Sequence, residues 1–166
     1  MKNLLSKGLV VFAGIAGVSG IAMQAEPKPV GEAQIRQNED PRIQSLRRFF
    51  QRHNSPAQHL SEVFVREADY NNLDWRLLPG LALVESGGGK HCIRYNLFGW
   101  ANGTASFRSF ADGIRQVAWY LSNSRIYRNK SLDRLLLTYN KNPEYRIKVK
   151  SVMRMISSNV ELAYAE

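Results

Sequence analysis

Between residues 41 and 156 the chain repeats apolar residues at helical spacing, and the repeat breaks decisively at Gly87-Gly88-Gly89. A period of three to four residues buries one face of a helix, so the pattern predicts amphipathic helices interrupted by one irregular lobe. Ile43, Leu46, Phe49 and Phe50 form the first stripe, with Arg42, Arg47, Arg48 and Arg52 largely facing water. Ser55-Pro56-Ala57-Gln58 opens a second helix, because Ser55 can cap, Pro56 suits the first turn and Gln58 completes a capping box. Leu60, Val63, Phe64 and Ala68 make its buried stripe.

Asp74 is placed to cap a third helix reaching Glu85, on which Leu78, Leu81, Ala82 and Glu85 share one face. Pro79 would stand in its fifth position and remove a hydrogen bond, so the helix either starts later or bends. Past the glycines, aromatic and polar residues follow without helical period up to Phe107. Asn102-Gly103 is a type I′ turn signal and predicts a small ribbon pairing residues 97–101 with 104–108. Ser109 with Asp112, Ser131, and Asn142-Pro143 then open three more helices. Their stripes are Phe110, Ile114, Val117, Ala118 and Leu121; then Leu132, Leu135, Leu136 and Tyr139; then Tyr145, Val149, Val152, Met153 and Ile156. The expected architecture is one mainly α (α+β) domain over residues 41–166, with about six helices and a hairpin lobe beside a cleft.

The first residues have a different purpose. Lys2 and Lys7 precede an apolar run over residues 8–21, a secretory-signal pattern, with cleavage expected after Ala25. That run is shorter than the roughly 20 residues of a membrane span, which makes an uncleaved anchor the lesser reading. Residues 26–40 hold two prolines, several charges and few large apolar residues, as a flexible linker does. The expected location is therefore the periplasm, the cell wall or the extracellular space.

Cys92 is the only cysteine, which excludes an intrachain disulfide. His53, His59 and His91 match no metal-ligand spacing, so no metal and no cofactor is expected. The formal charge of +9 falls to +7 without Lys2 and Lys7, which favours attraction to an anionic cell envelope. A nucleic-acid role is not expected, because the basic residues are spread over several helix faces without a binding motif. Nothing in the sequence calls for an oligomer, and a monomer is expected.

Glu85 is the outstanding candidate for chemistry. It lies on an apolar stripe and at a helix C-terminus, and both settings disfavour an ionised carboxylate. A carboxyl that keeps its proton near neutrality is suited to general acid catalysis of glycosidic cleavage, as in lysozyme, a different protein. Tyr95, Phe98 and Trp100 offer flat faces for sugar rings, and Asn96 offers hydrogen bonds to an N-acetyl group.

The segments E-S-G-G-G-K from Glu85, N-L-F-G-W from Asn96, F-R-S-F-A-D-G-I from Phe107 and T-Y-N-K-N-P-E-Y from Thr138 follow in order. Together they resemble the glucosaminidase group of peptidoglycan hydrolases, glycoside hydrolase family seventy-three, within the lysozyme-like superfamily that includes lytic transglycosylases. The resemblance covers residues 68–156 or thereabouts. It implies a lysozyme-like fold, Glu85 as catalytic acid and Tyr139 lining the cleft beside the scissile bond, with Asn140 close by. It also implies that Ser86 and Asn96 steady the loop and the substrate.

One departure matters. The family often carries a second carboxylate in its small lobe, whereas residues 87–111 contain no Asp or Glu, and Asp112 has a capping role that explains it. A single acid suffices if the substrate's 2-acetamido oxygen, or a muramyl 6-hydroxyl, attacks the anomeric carbon. The leading expectation is an endo-β-N-acetylglucosaminidase acting on the β-1,4 bonds of peptidoglycan glycan strands. A lytic transglycosylase or muramidase, and an inactive wall-binding module, are the alternatives.

Overall fold

In the computed structural model, which describes residues 39–163, Asp40 starts helix α1 (Pro41–Arg52) by accepting from the Arg42 N–H at 2.8 Å. Asp40 and Glu39, placed in the linker by composition, thus belong to the folded domain, and Glu39 pairs with Arg47 at 2.7 Å. The predicted signal and the rest of the linker lie outside the described residues. Ser55 caps as expected, accepting from the Ala57 N–H at 3.2 Å, but the turn it opens is a 3-10 helix (Pro56–Leu60) that leads into α2 (Ser61–Tyr70). Gln58 does not close a capping box; its amide lies 3.2 Å from the His59 ring.

Helix α3 (Leu77–Ser86) begins three residues after Asp74, and this resolves the difficulty with Pro79. Pro79 becomes the third helical residue, where its missing N–H would have had no intrahelical partner. Helices α4 (Phe110–Asn123), α5 (Leu132–Tyr139) and α6 (Pro143–Ala163) complete the regular structure. Ser109 caps α4 through the Asp112 N–H at 3.1 Å, and Asn142 caps α6 through the Glu144 N–H at 2.9 Å.

Six α-helices therefore dominate, and the mainly α expectation holds; the β-hairpin lobe does not, because no strand forms among the described residues. The reason is local. Arg94, Tyr95, Gly99, Ala101, Asn102 and Gly103 all have φ between 52° and 81°, so the backbone curls left-handed where a ribbon would run extended. Asn96 completes the coil: its side chain accepts from the Trp100 N–H at 2.9 Å and donates to the Trp100 carbonyl at 3.0 Å. The Trp100 N–H is thereby withheld from a partner strand, and its carbonyl is shared between Asn96 and the Ala105 N–H at 3.2 Å, a single bond across the turn that no ladder extends.

The core contains Leu46, Phe49 and Phe50 of α1, Phe64 of α2, Leu78 and Leu81 of α3, Ile114 and Leu121 of α4, Leu136 of α5 and Ile156 of α6. Leu97 and Phe98 of the irregular lobe join it, so the lobe is anchored by its own side chains. Helix α3 runs through the middle, nearly buried all round, as its almost unbroken apolar sequence requires. Gly80 lets α6 come close to it: a Cβ there would lie 3.2 Å from Met153 Cγ. This close packing brings Tyr145, at the start of α6, up to the far end of α3. Among the described residues no helix is long and apolar enough to cross a membrane.

Candidate active site

Helix α3 ends in a glycine-based stop. Gly87 takes the left-handed conformation at φ 62°, and the Gly88 and Gly87 N–H groups bond back to the Ala82 and Leu83 carbonyls, each at 3.0 Å. Ser86, the last helical residue, acts as a clasp. Its hydroxyl donates to the Leu97 carbonyl at 2.8 Å and accepts from the Gly89 N–H at 3.0 Å, which ties the lobe to the helix end. Ser86 and Asn96, 3% and 4% exposed, thus both hold the loop; their polar atoms bond to the protein itself.

This scaffold leaves Glu85 half-buried, with its two carboxyl oxygens in different surroundings. Oε1 accepts a 2.6 Å hydrogen bond from the Tyr145 hydroxyl. Oε2 faces the backbone of Gly99, so closely that a Cβ at that position would stand 2.7 Å away. Burial pushes the Glu85 carboxyl above its ordinary value, and the hydrogen bond from Tyr145 works in the opposite direction. With Tyr145 donating to Oε1, a proton held by the acid sits on Oε2, the oxygen turned toward the lobe.

Tyr139 is next to this pair, and its hydroxyl bonds elsewhere than to the acid. Its hydroxyl donates to the Phe98 carbonyl at 2.6 Å, and its ring stacks on Tyr145 with centroids 5.9 Å apart and planes 8° from parallel. Burial, then the nearby Glu85 charge, raises the Tyr139 phenol well above its usual range. The resemblance placed Tyr139 beside the scissile bond; the direct hydrogen bond to the acid is made by Tyr145, which spacing alone had placed in the core stripe. Gly99 was likewise missed, although a glycine inside Asn-Leu-Phe-Gly-Trp marks a place where backbone comes close to something else. A buried tyrosine needs a partner for its hydroxyl, and that was the available signal for Tyr145.

The predicted sugar-stacking residues divide. Phe98 is 1% exposed and packs in the core, so its faces are not open to a ligand. Tyr95 is 48% exposed and meets Phe110 edge-on at 5.2 Å. Trp100, partly buried, contacts Tyr139 at 5.8 Å, Tyr120 at 5.7 Å and Tyr127 at 6.1 Å, which builds an aromatic wall next to the acid. Asn140 accepts from the Asn142 N–H at 2.9 Å and shapes the turn into α6.

No second carboxylate joins Glu85 among its described contacts. Asp112 is held at about 2 by its bonds to the Arg108 side chain and N–H and is also bound by Gln116, which confirms a structural use. The arrangement can therefore hold and release one proton at Oε2, with Tyr145 fixing the carboxyl and the absence of a side chain at Gly99 letting the lobe backbone come up to it. Comparison with protein-family models, with curated proteins and with solved structures gives no match for this chain.

Proposed function

We propose that this chain cleaves the β-1,4 bonds of peptidoglycan glycan strands as a lysozyme-like glycosidase, with Glu85 as proton donor. One observation carries the reading: a half-buried glutamate at a helix end, raised in pKa, fixed through Oε1 by Tyr145 and with Oε2 set against the backbone of Gly99, where a side chain would not fit. Protonation of the leaving oxygen is the demanding step of glycosidic cleavage, and a carboxyl of this kind supplies it.

The step balances with one acid. The Oε2 proton passes to the glycosidic oxygen as its bond to the anomeric carbon breaks, while the 2-acetamido oxygen of the same sugar closes on that carbon. The Glu85 carboxylate then takes a proton from water as the water opens the ring so formed. If the muramyl 6-hydroxyl attacks in place of water, the product is an anhydro sugar, the transglycosylase outcome. With no other carboxylate against Glu85, both single-acid routes remain chemically complete.

The test is digestion of labelled sacculi by the purified chain. Soluble fragments are expected, Glu85→Gln is expected to lower their release by about 10²–10⁴-fold, and product mass separates hydrolysis from anhydro-sugar formation. Release that is absent, or unchanged in Glu85→Gln, overturns the proposal.

A further inference from the structure

A groove of about 560 Å³ opens between α2 and α4, lined by Arg66, Glu67 and Tyr70 from α2 and Arg115, Trp119 and Tyr120 from α4. Glu85 is not among its lining residues. Three features make its chemistry specific. Tyr70, Trp119 and Tyr120 are 81%, 51% and 45% exposed, so three aromatic faces meet water in one depression. Glu67 is only 6% exposed, yet its carboxylate takes part in no hydrogen bond among the described residues. Arg66 and Arg115 stand 3.7 and 3.6 Å from it, at ion-pair distance but without a hydrogen bond, and both are more than half exposed. Elsewhere the same chemistry closes fully, as between Arg42 and Asp69 at 2.8 Å.

A buried carboxylate without donors, flanked by two guanidiniums with unused N–H groups and overlooked by aromatic rings, matches one class of ligand. Sugar hydroxyls donate to a carboxylate, pyranose C–H faces lie on Trp and Tyr rings, and a carboxylate on the sugar pairs with arginine. Arg66 also faces Glu62 at 3.9 Å, so the preference for such a substituent rests on guanidinium N–H groups that neither carboxylate engages in a hydrogen bond, and not on net charge. A phosphodiester strand fits less well, because Glu67 in the floor repels it while offering no donor.

We propose that the α2–α4 groove is a second glycan-binding site that takes a carboxylate-bearing sugar chain and holds it away from Glu85. Tyr120 connects it to the acid: it touches Trp100 at 5.7 Å, Trp100 touches Tyr139 at 5.8 Å, and Tyr139 stacks on Tyr145. The groove therefore continues the aromatic wall of the candidate active site. That the chain is wall glycan rests on the reading of Glu85; that it is an acidic glycan rests on the groove.

The test uses full-length Glu85→Gln protein, so that binding is read without turnover, and a fluorescein-labelled strand of alternating N-acetylglucosamine and N-acetylmuramic acid. Trp119→Ala, and separately Tyr70→Ala, are expected to weaken binding by about tenfold or more, as loss of an exposed aromatic anchor does. The double variant Arg66→Gln with Arg115→Gln is expected to weaken the same strand by about tenfold and a neutral chito-oligosaccharide by under about twofold. Binding unchanged in the aromatic and arginine variants, or tighter binding of oligo-dT than of the glycan, overturns the proposal. Sacculus cleavage by the wild-type Glu85 background is followed in parallel. Loss of Glu85-dependent cleavage with intact groove binding sinks the catalytic reading alone, and the reverse result sinks the groove alone.

Discussion

The Tyr145 hydroxyl donates to Oε1 of Glu85 at 2.6 Å, joining the first turn of α6 to the last turn of α3 across 60 positions of sequence. Both residues are held by the close packing of α6 on α3 at Gly80, so the hydrogen bond is built by the core rather than by a mobile loop. It fixes the carboxyl rotamer and decides which oxygen carries the proton. It also favours the ionised form, against the larger opposite effect of burial.

Tyr145→Phe removes that bond and leaves the ring packing in place. Glu85 then titrates higher, so the alkaline limb of the pH–rate profile moves to higher pH, while the rate falls by roughly tenfold through lost orientation, one charge-assisted hydrogen bond being worth about 1.5–3 kcal/mol. Rates across pH 4–9 check both; an unmoved limb removes Tyr145 from the account.

Gly99→Ala tests the space beside Oε2. The new Cβ would stand 2.7 Å from that oxygen, and the φ of +58° penalises any residue with a side chain. A stability loss of about 1 kcal/mol from the left-handed backbone is expected. Cleavage should fall far more than this loss explains, and a thermal melt run beside the activity assay separates the two. Near wild-type cleavage would mean that substrate does not approach the acid from the Gly99 side.

Tyr139→Phe leaves the Phe98 carbonyl without its 2.6 Å donor, at an expected cost of about 1–3 kcal/mol. Hydrogen exchange should rise across residues 96–105, with the pH–rate limbs in their original places. A shifted limb would give Tyr139, rather than Tyr145, the direct role at the acid.

The raised Glu85 carboxyl has a signature in stability. Its folded form binds the proton more tightly than the unfolded chain does, so stability falls as pH rises from the ordinary value of 4.5 through the raised one. Glu85→Gln is therefore expected to melt higher than wild type near pH 7, with the difference disappearing below pH 4.5. Melting curves at the two pH values check this, and a difference of the opposite sign near neutrality contradicts it.

The helices were legible from their stripes, and α4 and α6 also from Ser109 and Asn142, which accept from the N–H their position predicts; Asp40, read as linker, caps α1, and Ser131 opens α5 without a side-chain cap bond. Pro79 was the one ambiguity, and the late start of α3 settles it without a bend. The lobe was misread because Asn102-Gly103 is the same signal whether the flanking residues run extended or curl. What decides is the Asn96 side chain closing on Trp100, a contact that no alternation pattern encodes. Glu85 was legible from its stripe and its helix end. The choice between Tyr139 and Tyr145 was not, since both lie on apolar stripes, and only the packing of α6 on α3 turns one hydroxyl to the acid and the other to Phe98.

Whether Glu85 donates the proton is tested most directly by changing the leaving group. In Glu85→Gln, cleavage of an N-acetylglucosamine chain should fall by about 10²–10⁴-fold, while an analogue with a dinitrophenyl leaving group, which departs without protonation, should release dinitrophenol in its first turnover at close to the wild-type rate, later turnovers slowing because the same carboxylate takes the proton from water. Equal loss on both substrates, or loss on neither, would contradict the assignment.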